Sequence, residues 1–249
     1  MSFVTASPDC PVSRAGEVTK QRKGDIFLIG DMDLRTDVFN TDCMDYMRTL
    51  PDKAFALAIA DPPYGIRDAG GATGGAGKLR GRVFNNGMID RWDKAPSQAF
   101  FDELRRVSEH QIIWGGNYFP LPPSRCFVCW DKMQPWPNFS QAEFAWTSFD
   151  SPSKMFRYDN RTGDKIHPTQ KPVELYAYLL QTFAQGGVIF DPMMGSQSSR
   201  IAAWKLGFDF VGCEIDEEYF RKGCERFDAE CRGITRLPSG KEIVQTELF

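Results

Sequence analysis

The segment 188–216 constrains the fold of this 249-residue chain more than any other. Val188-Ile189-Phe190 is a short apolar run, bounded upstream by Gly186-Gly187, and such runs read as buried strands. A turn over Asp191–Ser199 follows, then a helical stretch from Ser199 to Leu206, then a strand over Gly207–Cys213 that ends in Glu214-Ile215-Asp216. Strand, tight turn, helix, strand and acid make a βαβ unit, and parallel pairing of its strands requires such a crossover. Glu214 follows Gly195 by about 20 residues, the offset at which dinucleotide-binding folds place the acid that accepts hydrogen bonds from ribose hydroxyls. The unit therefore predicts an α/β domain that holds a nucleoside-bearing ligand at its strand ends.

A second strand end far upstream carries different chemistry. The apolar run Ala54–Ala60 is stopped by Asp61-Pro62-Pro63-Tyr64-Gly65. Neither proline can donate a ladder hydrogen bond, so the sheet ends there in a stiff turn. Asp61, the Pro62 carbonyl and the Tyr64 ring suit a flat base bearing an exocyclic amine. The two oxygens accept the amine hydrogens, and the ring covers the base. A proline-rich turn with a capping Asp is the bland alternative.

Asp-Pro-Pro-Tyr is the signature of the amino-group DNA methyltransferases, and two further segments resemble the same family. Phe190-Asp191-Pro192-Met193-Met194-Gly195-Ser196 is similar to its cofactor loop, and His167-Pro168-Thr169-Gln170-Lys171-Pro172 to the segment that precedes that loop. With the catalytic motif first and the cofactor loop last, the order resembles the permuted beta class, and the resemblance runs from about Val38 to Phe227. It implies a Rossmann-like methyltransferase sheet of about seven strands, mostly parallel, with one antiparallel strand near Ala142–Thr147. It implies S-adenosylmethionine as cofactor, double-stranded DNA as partner, and transfer to adenine N6 after base flipping. Catalytic positions carried over are Asp61, Pro62, Pro63 and Tyr64. Cofactor positions are Asp42, Cys43, Asp61, His167, Thr169, Lys171, Asp191, Pro192, Met193, Gly195, Ser196, Glu214, Ile215 and Asp216. For Asp42 a simple helix cap is the competing role. The chain departs from the family at Gln197, where the usual loop reads Gly-Ser-Gly. Glutamine does not adopt positive φ as cheaply as glycine, which predicts a loop of different shape or an ordinary conformation at Gln197.

Cytosine presents a similar amine, so an N4-cytosine enzyme with the same site is the nearest alternative; the family more often carries Ser in place of Asp61 for cytosine. A silent DNA-binding subunit that keeps the fold is another. An RNA or protein-amide methyltransferase is more often marked by Asn there.

The net charge of −3 does not advertise a nucleic-acid binder, so DNA contacts should concentrate locally. Arg67–Arg82 holds six glycines with Arg67, Lys78, Arg80 and Arg82, and reads either as a solvated surface loop or as a flap whose cations meet phosphates. It fails as a nucleotide phosphate loop, since Leu79 follows Lys78. Asn117 and Tyr118, after the strand Gln111–Trp114, either wall the base pocket, as the resemblance implies, or pack their loop. Lys154, Arg157 and Arg161 lie in the most basic stretch, Ser151–Lys171, the expected target-recognition segment; a solvated charged loop is the alternative. A helix is expected over Ser97–Ser108, with apolar positions at three-to-four spacing, and others over Met44–Leu50, Pro172–Phe183 and Glu217–Glu230.

Residues 1–24 read as a flexible tail, 25–231 as the catalytic domain with an insertion around 131–166, and 232–249 as a second tail. The seven cysteines are scattered, which fits a reducing cytoplasm, with nucleoid association implied by a DNA substrate. Cys126 and Cys129 form a lone C-x-x-C on an expected strand, where their side chains point to opposite faces, so no metal site is expected. No apolar run is long enough to cross a membrane. A homodimer is carried by the resemblance alone. The terminus Gln245-Thr246-Glu247-Leu248-Phe249 resembles a sliding-clamp docking peptide, with a loose tail as the alternative.

Overall fold

A computed structural model describes residues 35–65, 94–135, 140–159, 165–167, 169–236 and 242–244. Eight strands form one sheet: β1 (Thr36–Asn40), β2 (Phe55–Ala60), β3 (Ser108–Trp114), β4 (Phe127–Asp131), β5 (Ala142–Thr147), β6 (Lys154–Arg157), β7 (Ile189–Asp191) and β8 (Phe210–Glu214). Their order across the sheet is β1-β8-β7-β2-β3-β5-β4-β6. Every neighbouring pair is parallel except the two made by β5. The antiparallel strand is therefore where the resemblance put it.

The sheet holds eight strands among the described residues, in line with the expected count of about seven. The additional strand, β6, lies in the segment expected to be a basic recognition loop. Its backbone pairs in register with β4, Lys154 opposite Val128 and Arg157 opposite Asp131, so an edge ladder outweighs the polar composition. Within 232–249, expected as a tail, β9 (Ile234–Arg236) and β10 (Glu242–Val244) pair antiparallel.

The helices are α1 (Cys43–Met47), α2 (Gln98–Val107), α3 (Val173–Phe183), α4 (Ser198–Lys205) and α5 (Glu217–Arg232). α1 stops short of the expected Leu50. Its last carbonyls are taken by Arg106 on α2, which donates to Met47 O and Leu50 O, each at 2.8 Å, satisfying acceptors that a helix end leaves open. On α2, Phe100, Phe101, Leu104 and Val107 are all buried, as a one-sided apolar stripe requires.

The two faces of the sheet build separate cores. α1 and α2 pack with Ala58, Ala60, Ile113, Phe190 and Val211 on one face. α3, α4 and α5 pack with Leu57, Ile59, Ile112, Trp114 and Ile189 on the other. The alternation along each strand follows from its period of two.

This arrangement fixes the position of the ligand crevice. From β2 the chain crosses by α2 to β3 on one side; from β7 it crosses by α4 to β8 on the other. The connections diverge between β2 and β7, which pair Leu57 with Ile189 and Ala58 with Phe190. Open α/β sheets bind ligands at the carboxyl ends beside such a switch point.

Candidate active site

Four adjacent parallel strands, β1, β8, β7 and β2, each run out into a carboxylate at this end of the sheet: Asp42, Glu214, Asp191 and Asp61. Past the last β2–β7 pair, Ala58 with Phe190, both strands run out at the same end of the sheet, and the Asp61 charge reaches the Asp191 carboxyl. The proline turn and the 191–195 turn therefore share one crevice.

Asp42 caps α1, its carboxylate accepting from the Met44 N–H at 2.7 Å. Both neighbouring termini are tied together, since Thr41 N–H and Asn40 Nδ2 donate to Glu214 O at 3.1 and 2.8 Å. Asp42 is thus a cap and also a wall of the crevice beside Glu214. Cys43 is buried, and its thiol is pushed up to about 12 by burial and by Asp42. It is a packing group with no thiolate to offer.

Glu214 braces the loop: Oε2 accepts from Gly195 N–H at 2.7 Å and Oε1 from Asp216 N–H at 2.9 Å. Burial raises its carboxyl above the usual range, while these N–H groups pull it back. Asp191 accepts from Ser199 Oγ at 2.5 Å and from Met193 N–H at 2.9 Å; burial pushes it up to about 7. Pro192 and Ser196 are buried in the same turn, and Met194 lies against Gly212, where a Cβ would sit 2.3 Å from its sulfur. Ile215 stands at the mouth, 69% exposed, and Asp216 caps α5 by accepting from Tyr219 N–H. His167 faces this loop, packed edge-on to Tyr219 at 4.3 Å between ring centroids. Thr169 donates through N–H and lies within 3.1 Å through Oγ1 of its Nδ1. Burial and the charge of Lys171 hold the imidazole down to about 4, so it is neutral at ordinary pH.

Of the two alternatives for Gln197, the ordinary conformation is ruled out: it adopts φ 59°, in the left-handed region that favours glycine, and is fully buried. The penalty of roughly 1–2 kcal/mol for a side chain in this region is offset by buried hydrogen bonds. Its Nε2 donates to Phe220 O at 3.2 Å and its Oε1 accepts from Arg200 at 2.9 Å. Space for it comes from Gly223 on α5, where a Cβ would lie 2.6 Å from Gln197 Cγ. Gly223→Ala should therefore lower the melting temperature, because overpacking costs about 1–3 kcal/mol, more than the roughly 1 kcal/mol gained in helix propensity. In a Gln197→Gly background the same change should become neutral or stabilising. A loss of similar size in both backgrounds, measured by thermal unfolding, would show that the two positions are not coupled.

On the other side of the crevice, Pro62 is buried and Tyr64 donates its hydroxyl to Asp61 Oδ1 at 3.0 Å. The Tyr64 ring stacks on Tyr118 at 5.1 Å between centroids, and Tyr118 is 49% exposed. Gly115, at φ 68°, makes room for this ring: a Cβ there would sit 2.3 Å from it. Asn117 is exposed on the same turn.

Lys171, expected with the cofactor residues, stands against Asp61. Its side chain is only 4% exposed, with Nζ 2.5 Å from Asp61 Oδ1, 3.2 Å from Glu143 Oε2 and 3.3 Å from Tyr64 Oη. Glu143 is in turn paired with Lys132. Neither Glu143 nor Lys132 was legible as a site residue. The available signal was one acid in the otherwise apolar strand Ala142–Thr147.

Arg157 pairs with Asp131 at 3.3 Å, and Lys154 begins β6 beside Val128. Arg67, Lys78, Arg80, Arg82, Arg161 and Gln245–Phe249 lie outside the described residues, as do residues 1–24 and Pro168.

The donor set fits a sulfonium nucleoside: a row of carboxylates for the cation and ribose, and an exposed apolar side chain beside them for the base. Comparison with known proteins agrees. A DNA methylase family model, N6_N4_Mtase, matches residues 130–225. The type II methyltransferase M.HinfI of Haemophilus influenzae is 24% identical, over 87% of this chain and 74% of that protein. The putative methylase YubD of Escherichia coli is 26% identical, over 78% and 90%. In fold, the chain resembles the M1.HpyAVI–SAM complex, with a TM-score of 0.50 and 19% identity over 77% of this chain and 98% of that one. It also resembles PvuII DNA methyltransferase, described as cytosine-N4-specific, with a TM-score of 0.52 and 12% identity over 76% and 84%. No helix among the described residues is long and apolar enough to cross a membrane. Matched motifs, a shared fold and one crevice that joins them make the chain similar to the DNA methylases and give it the fold of the solved DNA methyltransferases.

Proposed function

We propose that the acceptor is the exocyclic N6 amine of adenine, flipped out of double-stranded DNA. The observation that carries this reading is the Asp61-Pro62-Pro63-Tyr64 turn beside the 191–195 turn, across the switch point of the sheet. An exocyclic amine is a poor nucleophile because its lone pair is delocalised into the ring. Asp61 Oδ2 and Pro62 O each accept one amine hydrogen, which biases the nitrogen towards a tetrahedral shape and turns its lone pair to the donor side. The chain supplies positioning and preorganised electrostatics. S-adenosylmethionine supplies the electrophilic methyl group. Asp42, Glu214 and Asp216 hold its nucleoside part, with Ile215 against the base. Pro192, Met193, Gly195 and Ser196 shape the turn that it crosses, Asp191 braces that turn, and His167 with Thr169 closes the loop from the other side. A carboxylate in place of a serine at position 61 favours adenine over cytosine.

A paired base cannot reach this crevice, so flipping is required. Tyr64 and Tyr118 provide the aromatic wall that replaces the lost stacking, and Pro63 keeps the turn stiff. From the sequence, DNA contacts are assigned to Arg67, Lys78, Arg80 and Arg82, as phosphate contacts, and to Asn117, Tyr118, Lys154, Arg157 and Arg161. Gly115→Ala should push the Tyr64 ring out of place and cut the rate of transfer by roughly 10²-fold, as misplacements of about 1 Å can, with cofactor affinity unchanged in calorimetry. An unchanged rate would remove Tyr64 from the base site.

The direct test is to incubate plasmid DNA with the purified protein and cofactor and identify the modified nucleoside by mass spectrometry. N6-methyladenine is expected. N4-methylcytosine would replace the adenine reading with the cytosine one, and no modified base would point to a silent DNA-binding subunit.

A further inference from the structure

Behind the catalytic turn Asp61 belongs to a four-membered charge cluster whose other three members, Lys171, Glu143 and Lys132, have no part in the chemistry described so far. Lys171 precedes α3 and is buried against three groups from two other elements: Asp61 and Tyr64 of the proline turn, and Glu143 of β5. Two of its contacts matter together. Lys171 Nζ and Tyr64 Oη both reach the same oxygen, Asp61 Oδ1. Among the described residues no donor reaches Oδ2. A carboxylate held on one oxygen by two donors cannot rotate freely, and its second oxygen is left for an incoming donor. Burying an ammonium group this far costs several kcal/mol unless it is well paired. Here two carboxylates surround it, and Lys132 in turn balances Glu143, so the cluster is neutral as a whole.

We propose that Lys171 is a positioning residue for methyl transfer, in which it and Tyr64 hold Oδ1 of Asp61 so that Oδ2 faces the base amine, while Glu143 holds the lysine in register. The proposal rests on the reading of Asp61 given above. Lys171 also has an electrostatic consequence. Burial raises the Asp61 carboxyl, Lys171 opposes that rise and Glu143 adds to it. Lys171 itself carries the burial penalty of a cation, yet Asp61 and Glu143 raise it above its ordinary value. Burial would also raise Glu143, but Lys171 and Lys132 outweigh that and hold it at about 2. The lysine thus opposes protonation of Asp61 and favours the anion that accepts from the amine. The other groups facing this cluster are Tyr176 on α3, Asp191 at the end of β7, His167 before α3, and Lys165, which burial and the Lys132 charge lower and Glu143 raises. Tyr176 is driven well above its ordinary value by burial and by the Asp61 and Asp191 charges, so it stays neutral. The shift of Asp191 comes from burial, with added charge from Asp61 and Glu214, and not from the lysine.

The test is the pH profile of the single-turnover transfer rate at saturating cofactor and DNA, for Lys171→Gln, Lys171→Arg and Glu143→Gln. Transfer requires ionised Asp61, so the rate falls on the acid side. Removing the cation raises Asp61, and Lys171→Gln should move the acid limb up by about one to three pH units, the range for loss of a close opposite charge. Lys171→Arg keeps the charge and should return the limb towards the wild-type position. Glu143→Gln removes a like charge and should move it the other way, to lower pH. Cofactor affinity should change less than the rate in all three. A limb that stays in place in Lys171→Gln, or a defect confined to cofactor affinity, would overturn the proposal. If Lys171→Gln does not fold, the Glu143→Gln direction decides, and a limb that is unmoved or displaced upward counts against it. Wild-type protein that methylates no base would instead sink the underlying reading of Asp61, so the two failures are separable.

Discussion

Asp61→Ala should reduce methyl transfer by on the order of 10²–10³-fold, the loss found when one preorganised hydrogen-bonding partner of a transition state is removed, while cofactor binding stays within a few-fold of wild type. The separation follows from geometry. Asp61 leaves β2, whereas the groups that shape the cofactor turn leave β7 and β8, and the contacts of Glu214 with Gly195 and Asp216 do not involve it. Asparagine should be no rescue. Lys171 and Tyr64 both donate to Oδ1, so an amide at position 61 places its carbonyl there and turns its NH2 towards the base. Two donors then face each other. Single-turnover rates with calorimetric cofactor affinities distinguish these cases. A parallel collapse of cofactor binding in Asp61→Ala would mean that the division between catalytic and cofactor residues is wrong.

The second large effect belongs to Glu214. Glu214→Ala leaves the N–H groups of Gly195 and Asp216 without their acceptor in a partly buried loop. Each unsatisfied group costs about 1–3 kcal/mol, and losing the ribose acid adds to this. The expected outcome is a cofactor dissociation constant raised by roughly 10- to 100-fold, at about 1.4 kcal/mol per decade, with a smaller rise for Glu214→Gln, which keeps one acceptor oxygen. Calorimetric titration with S-adenosylmethionine checks it. An unchanged constant with weakened DNA binding would move Glu214 out of the cofactor site.

What could be read from the residues was whatever rests on local pattern. Apolar periodicity located the strand that ends at Asp61 and the helix at Phe100–Val107, because both bury one face against the sheet. The βαβ unit from Ile189 to Glu214 was legible because its turn, its helix and its terminal acid stand in fixed order. Three features were not legible, each for a physical reason. The partnership of Lys171 with Glu143 depends on how β5 stacks beside β3, a pairing that no spacing encodes. The left-handed Gln197 is supported by Gly223 and Arg200, which come from two different helices, and a propensity argument sees only the residue itself. β6 carries the pattern Lys-Met-Phe-Arg with Met155 exposed, and its strand character comes from the edge of β4 that it pairs with. The Asp61-Pro62-Pro63-Tyr64 turn stands out in the sequence for the opposite reason: a carboxylate followed by two prolines at a strand end has few structural uses.

The most direct measurement of the central claim is a crystal structure of the protein with DNA containing its target and a cofactor analogue that has no transferable methyl group. The account predicts an extrahelical adenine against Tyr64, with its amine nitrogen within hydrogen-bond distance of Asp61 Oδ2 and Pro62 O and the analogue lying along the 191–195 turn. An adenine seated away from Asp61, or an analogue bound elsewhere on the sheet, would contradict it.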